Sequence, residues 1–318
     1  MKLIIQIPCY NEQDSLPVTV SELPKYINGI DEIEVLVIDD GSSDNTLKVA
    51  QSLGIDHIIS LPNNRGLAKA FSAGIDRCLE EGADIIVNTD ADNQYSGLDI
   101  EKLVFPILHQ GADIVIGDRQ TNKIEHFSYL KKVFQKVGSY FVRMISKTDV
   151  IDTVSGFRAF TRESAMKINI FTDFSYTIES LIQFGYKKAN VISVPVKTNG
   201  PIRKSRLFKS IPSFIINQLL TIIRAFSNYQ ALKVFISVGL IIIIPGIIGF
   251  TRFIYFYFTD GGEGHIQSLI FSTVLINIGF IVLMSGIIAD LISNNRKLIE
   301  DISFRIKKFI LEQQVKNQ

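Results

Sequence analysis

Two uncharged runs in the C-terminal third constrain this chain more than any other feature. Val234–Thr251 contains no charged residue, and apolar character continues past Arg252 to Phe258; Ile266–Ala289 is a second uncharged run. A helix over Phe235–Phe258 would be roughly 36 Å long, enough for a hydrocarbon core of about 30 Å. A soluble core seldom uses two such runs in tandem, so both are read as membrane spans. The loop between them, Thr259–His265, holds Asp260 and Glu263 and no Lys or Arg, whereas Arg224, Lys233, Arg296 and Lys297 flank the pair. The positive-inside rule then puts both flanks, and with them both termini, in the cytosol. Arg252 can snorkel to the outer surface, and Pro245-Gly246 predicts a kink within the first span.

Charge is segregated to match. Residues 1–202 hold 20 basic and 26 acidic residues, residues 203–233 hold 6 basic and none acidic, and residues 290–318 hold 6 basic and 4 acidic. The formal total of +1 conceals this division. Four segments are expected: an acidic folded domain over 1–202, a basic juxtamembrane collar over 203–233, a pair of spans over 234–292 and an amphipathic cytosolic tail over 293–318. Leu207–Tyr229 mixes apolar residues with Lys209, Asn217, Gln218 and Arg224, which predicts one or two interfacial helices split near Pro212. Nucleic-acid binding needs a basic folded domain, which is lacking here. Cys9 and Cys78 are too few for a disulfide framework and read as reduced thiols. The opening MKLIIQIPCYNE is too short an apolar run for a signal peptide and reads as a first buried strand.

Within residues 2–116, strand signals at Leu3–Ile7, Glu34–Ile38, His57–Ser60, Asp84–Val87 and Asp113–Ile116 alternate with helix signals near Ser15–Tyr26, Asp44–Leu53, Gly66–Glu81 and Leu98–His109. That order predicts an α/β domain with a mostly parallel sheet covered on both faces. Ligands of such sheets bind beyond the carboxyl ends of the strands. The polar clusters lie there: Pro8–Glu12, Asp39–Asp44, Asp90–Gln94 and Gly117–Arg119. Asp39 and Asp40 follow a buried strand and precede a Gly41 turn. A turn and helix cap would need only Ser43 or Asp44, so two adjacent acids at a strand end point to acceptance from a base N–H or ribose hydroxyls. Asp90, Asp92 and Gln94 offer hard oxygen donors of the kind Mg²⁺ or Mn²⁺ takes, with substrate phosphates and water completing the octahedron. Taken alone, an acidic solvated turn explains the same residues equally well. No HExxH, GxSxG, GxxxxGK[ST] or paired CxxC motif occurs, and the four histidines are scattered. Triad hydrolysis and His-ligated zinc therefore have no support.

Seven motifs together resemble family 2 glycosyltransferases with the GT-A fold, and within them the polyprenyl-phosphate glycosyltransferases such as dolichyl-phosphate mannose synthases and GtrB-like enzymes. They are Pro8-Cys-Tyr-Asn-Glu12, Val37-Ile-Asp-Asp-Gly-Ser42 with Asp44 and Thr46, Asn64-Arg-Gly66, Asp90-Ala-Asp-Asn-Gln94, Gly117-Asp-Arg119, Ser155-Gly-Phe-Arg158 and Ser205-Arg-Leu-Phe-Lys209. The resemblance covers about residues 4–209. It implies that Pro8, Tyr10, Glu12 and Arg65 line the nucleotide pocket and that Asp39 or Asp40 contacts base or ribose. It further implies that Asp90 lies beside the donor sugar or diphosphate, and that Asp92 and Gln94, with Asp90, hold the divalent ion. Arg119, Lys197, Ser205 and Arg206 would meet acceptor and donor phosphates; Lys131 or Lys132 matches more weakly.

The resemblance implies an inverting transfer of one sugar from a nucleotide-diphosphate sugar, UDP-linked by preference, to a polyprenyl phosphate at the cytosolic leaflet. The QxxRW motif of processive members is absent, since the chain has no Trp. Thr153-Val-Ser-Gly-Phe-Arg158 also carries no acid after Asp152, which suits an acceptor already ionised near neutral pH. Two rival readings remain. A hydroxyl of a lipid-linked oligosaccharide or glycolipid would need a base, for which Asp152 is the candidate. A non-catalytic membrane scaffold would have no use for Asp90, Asp92 and Gln94. A homo-oligomer is also expected, because two helices alone offer little packing in a membrane.

Overall fold

The computed structural model describes residues 1–120, 138–170 except 141 and 145, 176–200, and 211–317 except 262 and 263. It divides into two compact units, Met1–Ile222 with Ser303–Gln318, and Ile223–Ile302.

The first unit is built on a seven-stranded sheet. In chain order its elements are β1 (Lys2–Cys9), α1 (Leu16–Ser21), β2 (Glu32–Asp39), α2 (Thr46–Ser52), β3 (His57–Ser60), α3 (Leu67–Glu80), β4 (Ile85–Asn88), α4 (Ile100–Gln110), β5 (Ile114–Asp118), β6 (Arg158–Thr161), α5 (Arg162–Met166), α6 (Tyr176–Tyr186) and β7 (Val191–Pro195). The strand order is β3-β2-β1-β4-β6-β5-β7. β1 pairs in parallel with β2 and with β4, whereas β6 runs antiparallel between β4 and β5. β7 pairs in parallel with β5. The alternation read from residues 2–116 is thus observed. β6 and β7 lie beyond the stretch whose periodicity was legible, and α1 is much shorter than expected because the chain turns at Glu22.

Helices cover both faces, which is why β1 is buried along nearly its whole length and reads as a continuous apolar run. α3 buries Phe71, Gly74, Ile75, Cys78 and Leu79 at helical spacing. Gly74 is required there: a Cβ would lie 2.4 Å from Gln6 Oε1. That contact lets α3 close over a buried Gln6 Nε2–Asn88 Oδ1 hydrogen bond of 2.9 Å. β1 turns toward β2 and β3 on one side and meets β4 on the other, so the order reverses between β1 and β4. A crevice at the carboxyl ends of the strands is the expected consequence.

The second unit comes from two long helices, α7 (Ile211–Asp260) and α8 (Ile266–Asn317). Both contain stretches long and apolar enough to cross a membrane, over Ala231–Thr259 and within Ile266–Gln313. Ile241, Ile248, Phe271, Ile281 and Ile288 are each more than half exposed, a surface suited to lipid. Small residues let the two helices approach. A Cβ at Gly246 would lie 2.8 Å from Ile276, and one at Gly279 would lie 2.4 Å from Ile243.

Among the described residues α7 is one helix from Ile211 onward, so the stretch up to Tyr229 is continuous with the first apolar span, and a split before Pro212 would lie outside the described residues. The tail is likewise continuous with the second span. Its end belongs to the first unit, where Lys307 Nζ meets Asp76 Oδ1 at 2.8 Å and Lys167 Nζ lies 5.3 Å from the Phe304 ring. The collar residues 203–210 are outside the described residues.

α6 packs so closely on the segment before Lys147 that a Cβ at Gly185 would fall 1.7 Å from the backbone oxygen of Ser146. Gly185→Ala is therefore expected to destabilise the first unit by about 1–3 kcal/mol, the usual scale of overpacking. Thermal unfolding of the purified chain checks this, and an unchanged midpoint would contradict the backbone contact.

Candidate active site

The carboxyl ends of β1, β2 and β4 bring three acidic segments to one edge. Cys9 is in register with Asp39, and Gln6 with Asn88, so Tyr10–Glu12, Asp39–Asp40 and Asp90–Asp92 all leave the sheet on the same side. Pro8 is buried opposite Ile38 and contributes backbone shape rather than a side-chain contact at the surface.

The first two loops are laced together. Asn11 adopts φ 54, its N–H donates to Ser42 Oγ at 2.9 Å, and its Oδ1 accepts from Ser43 N at 2.8 Å. Glu12 N donates to Thr46 Oγ1 at 2.8 Å. The Glu12 side chain is buried and accepts from Ser15 Oγ at 2.5 Å, so it organises the loop from beneath, while Tyr10 is 40% exposed at the edge.

Asp39 and Asp40 are both buried but differently committed. Asp40 Oδ1 accepts from Arg65 N at 2.8 Å and Oδ2 from Gly66 N at 2.9 Å. Both oxygens thus hold the Asn64-Arg65-Gly66 turn at the start of α3. Burial pushes the Asp40 carboxyl above its ordinary range against the pull of those two N–H groups, and the Asp39 charge adds to the rise. Asp39 makes only longer bonds, from Ser42 N at 3.2 Å and from Ser60 Oγ at 3.4 Å. Of the two, Asp39 has the greater capacity left to accept from a ligand. Gly41 is fixed by the same turn: it has φ 67, and a Cβ would lie 2.5 Å from the Asn63 carbonyl carbon. The Arg65 side chain is exposed beside this edge.

The third segment forms a compact turn after β4. Asp92 Oδ1 accepts from Gln94 N at 3.2 Å, and Asn93 takes φ 54. The chain after β7 runs alongside it. Asn199 N donates to Gln94 O at 2.9 Å, Tyr95 bridges Thr198, and Lys197 N donates to Asp99 Oδ2 at 2.5 Å. An exposed Lys197 is thereby delivered beside the Asp90–Gln94 turn. Asp90 itself backs onto Gly156, where a Cβ would lie 3.1 Å from Asp90 Oδ1 and 2.8 Å from the Tyr176 hydroxyl. Asp90, Asp92 and Gln94 are partly exposed hard oxygen donors. Among the described residues no three carboxylate, His or Cys side chains converge as a metal cage. The set fits an ion such as Mg²⁺ or Mn²⁺ that shares its shell with phosphate and water.

Arg119 and Asp152 form a fork. Arg119 Nε and Nη2 donate to the two Asp152 oxygens at 2.6 and 2.9 Å, and Asp152 is buried. Burial opposes the Arg119 charge, but Tyr95 and Asp152 outweigh it and raise the pKa above its ordinary value. Asp152 is therefore a poor general base: its oxygens are occupied by a cation. Arg119 remains 15% exposed and retains Nη1 beyond the Asp152 fork.

Behind Asp90 lies a polar brace that sequence reasoning missed. Arg158 is fully buried and donates to the carbonyls of Ser155, Thr177 and Thr153 and to Ser180 Oγ, at 2.8–3.0 Å. Burial lowers its pKa to about 10. Asn88 Nδ2 donates to Gly156 O at 2.8 Å and to the Tyr176 hydroxyl at 3.1 Å. Tyr176 stacks on Phe71 at 4.0 Å. The Ser155–Arg158 motif was visible in the sequence, but its role as a support for Asp90 depends on long-range contacts. Ser205, Arg206, Lys131 and Lys132 lie outside the described residues.

Removing one partner of the Arg119–Asp152 fork leaves a buried charge unpaired, so Asp152→Asn and Arg119→Met are each expected to cost about 3–5 kcal/mol. The double variant should cost less than the sum, by a coupling of roughly 1–3 kcal/mol measured in a thermodynamic cycle. Simple additivity would contradict the fork.

Residues 4–168 match the sequence profile of glycosyl transferase family 2. To the UDP-N-acetylglucosamine–dolichyl-phosphate N-acetylglucosaminyltransferase of Methanococcus voltae the chain's identity is 29% over 214 residues, covering 60% of this chain and 83% of that one. To the undecaprenyl-phosphate mannosyltransferase of Micrococcus luteus it is 30%, covering 54% and 70%. A solved structure of glucosyl-3-phosphoglycerate synthase from Mycobacterium tuberculosis in complex with uridine diphosphate shares the fold, with a TM-score of 0.56, 18% identity, and coverage of 71% of this chain and 80% of that one. With the sheet order, the acidic edge and the profile match over more than half its length, the chain belongs to the family 2 glycosyltransferases.

Proposed function

We propose that the chain transfers one sugar, with inversion, from a nucleotide-diphosphate sugar to a polyprenyl phosphate at the cytosolic leaflet. The observation that carries this reading is the fork: the one acid on the late motif is locked by Arg119 and is not available to deprotonate a hydroxyl. A phosphate acceptor needs no such base, because it is already anionic near pH 7. The names of the relatives in Methanococcus voltae and Micrococcus luteus support the same acceptor class, and the apolar spans supply a membrane anchor.

In the proposed reaction a lipid phosphate oxygen attacks the anomeric carbon. The bond from that carbon to the donor diphosphate breaks, and the nucleotide diphosphate leaves with the electron pair. Asp39 accepts from the base or ribose, Tyr10 and Arg65 border the nucleotide, and Asp40 and Glu12 hold the loops that shape the pocket. Arg119 Nη1 and Lys197, with Ser205 and Arg206, offset the repulsion between the two anionic substrates. A divalent ion held by Asp92, Gln94 and Asp90 would stabilise charge on the departing diphosphate. Both termini would lie in the cytosol, as the charges flanking the apolar runs predict, and a homo-oligomer would add helix packing in the membrane.

Purified protein incubated with Mg²⁺ or Mn²⁺, a panel of UDP- and GDP-sugars, and short polyprenyl phosphate tests the reading. Nucleotide release with one donor, dependent on the lipid phosphate, is expected; lipid-independent release or turnover only with a hydroxyl acceptor would contradict it. Asp92→Asn should lower kcat at least about 100-fold, the scale for one preorganised charge-stabilising group. Full metal-dependent activity in that variant would exclude Asp92 from the metal site.

A further inference from the structure

The helical residues 138–140, 142–144 and 146 have an inward side that accounts for their packing. Ser139, Val142 and Ser146 are buried, Ser139 Oγ lies 3.1 Å from Thr153 Oγ1, and Ser146 meets Gly185 backbone to backbone. Lys147 ends the helix with φ 56, its N–H donating to Arg143 O at 2.8 Å. The other side carries exposed apolar residues. Tyr140 and Met144 are 59% and 57% exposed, and Ile151 shortly after is 59% exposed. Tyr140, Arg143, Met144, Lys147, Thr148 and Asp149 line an open cleft of about 470 Å³. Arg143 Nε is buried with no hydrogen-bond partner among the described residues.

We propose that this face docks on an anionic phospholipid leaflet. Tyr140, Met144 and Ile151 would enter the boundary between headgroups and acyl chains, with Arg143 and Lys147 on lipid phosphates. Large apolar side chains interleaved with cations match that boundary, and a tyrosine suits it because its ring is apolar and its hydroxyl is not. Asp149 is the one acid lining the cleft, so its two cations leave it net positive. A guanidinium is the group best shaped to grip a phosphate. The apolar helices hold the whole chain beside a leaflet, so the face meets lipid at high effective concentration. The inference rests on membrane anchoring but not on the identity of the donor or acceptor.

Cys9 and Cys78 are buried, and burial pushes both thiols above their ordinary pKa, so an added cysteine can be labelled selectively. The full chain carrying Met144→Cys, labelled with an environment-sensitive fluorophore, would be placed in nanodiscs of anionic or neutral lipid. Glu80→Cys, on the exposed side of α3, serves as the control. Blue-shifted emission and quenching by spin-labelled lipid at position 144, stronger in anionic discs and absent at position 80, is the expected result. Arg143→Gln with Lys147→Gln should weaken docking in anionic discs by roughly tenfold or more, since each cation near such a leaflet contributes about fivefold. Aqueous emission at position 144 in both discs would overturn the proposal, and equal quenching in both would overturn its anionic lipid. A chain that fails to enter the discs would overturn the anchoring itself.

Discussion

The crowding of carboxylates at one sheet edge is the constraint on which the rest of the first unit depends. Glu12, Asp39, Asp40, Asp90 and Asp92 leave neighbouring strand ends, and Asp152 lies behind them. Left unpartnered, such buried acids would take up protons or repel one another. The fold meets this cost with backbone N–H groups at Asp40, a hydroxyl at Glu12 and a full cation at Asp152. Asp39 is held only by longer bonds, and Asp90 and Asp92 stay partly exposed. The edge is thus divided into acids whose oxygens are committed to the fold and acids less tightly held.

That division could not be read from the sequence. Asp39 and Asp40 are adjacent and chemically identical, and only the Arg65 and Gly66 N–H bonds separate their duties. Asp152 looked like a possible base, because its partner Arg119 lies far away in sequence. Arg158 looked like part of a motif, and its four donated bonds to Thr153, Ser155, Thr177 and Ser180 appear only once β6 and α6 are packed together.

Other features were legible because they depend on local periodicity or length. The parallel strands β1 to β5, the clustering of polar segments at their carboxyl ends and the two apolar helices all follow from short-range pattern. β6 runs antiparallel between β4 and β5, a pairing that no short-range pattern signals. Short-range pattern also did not show that residues 211–229 run without a break into the first apolar span.

The central claim is that the reacting oxygen belongs to a phosphate. ³¹P nuclear magnetic resonance of the purified lipid product tests it most directly. The account predicts that the lipid phosphorus moves from the monoester to the phosphodiester range as sugar is added. A product that gains the sugar while its phosphorus signal stays a monoester would place the new bond on a hydroxyl and contradict the account.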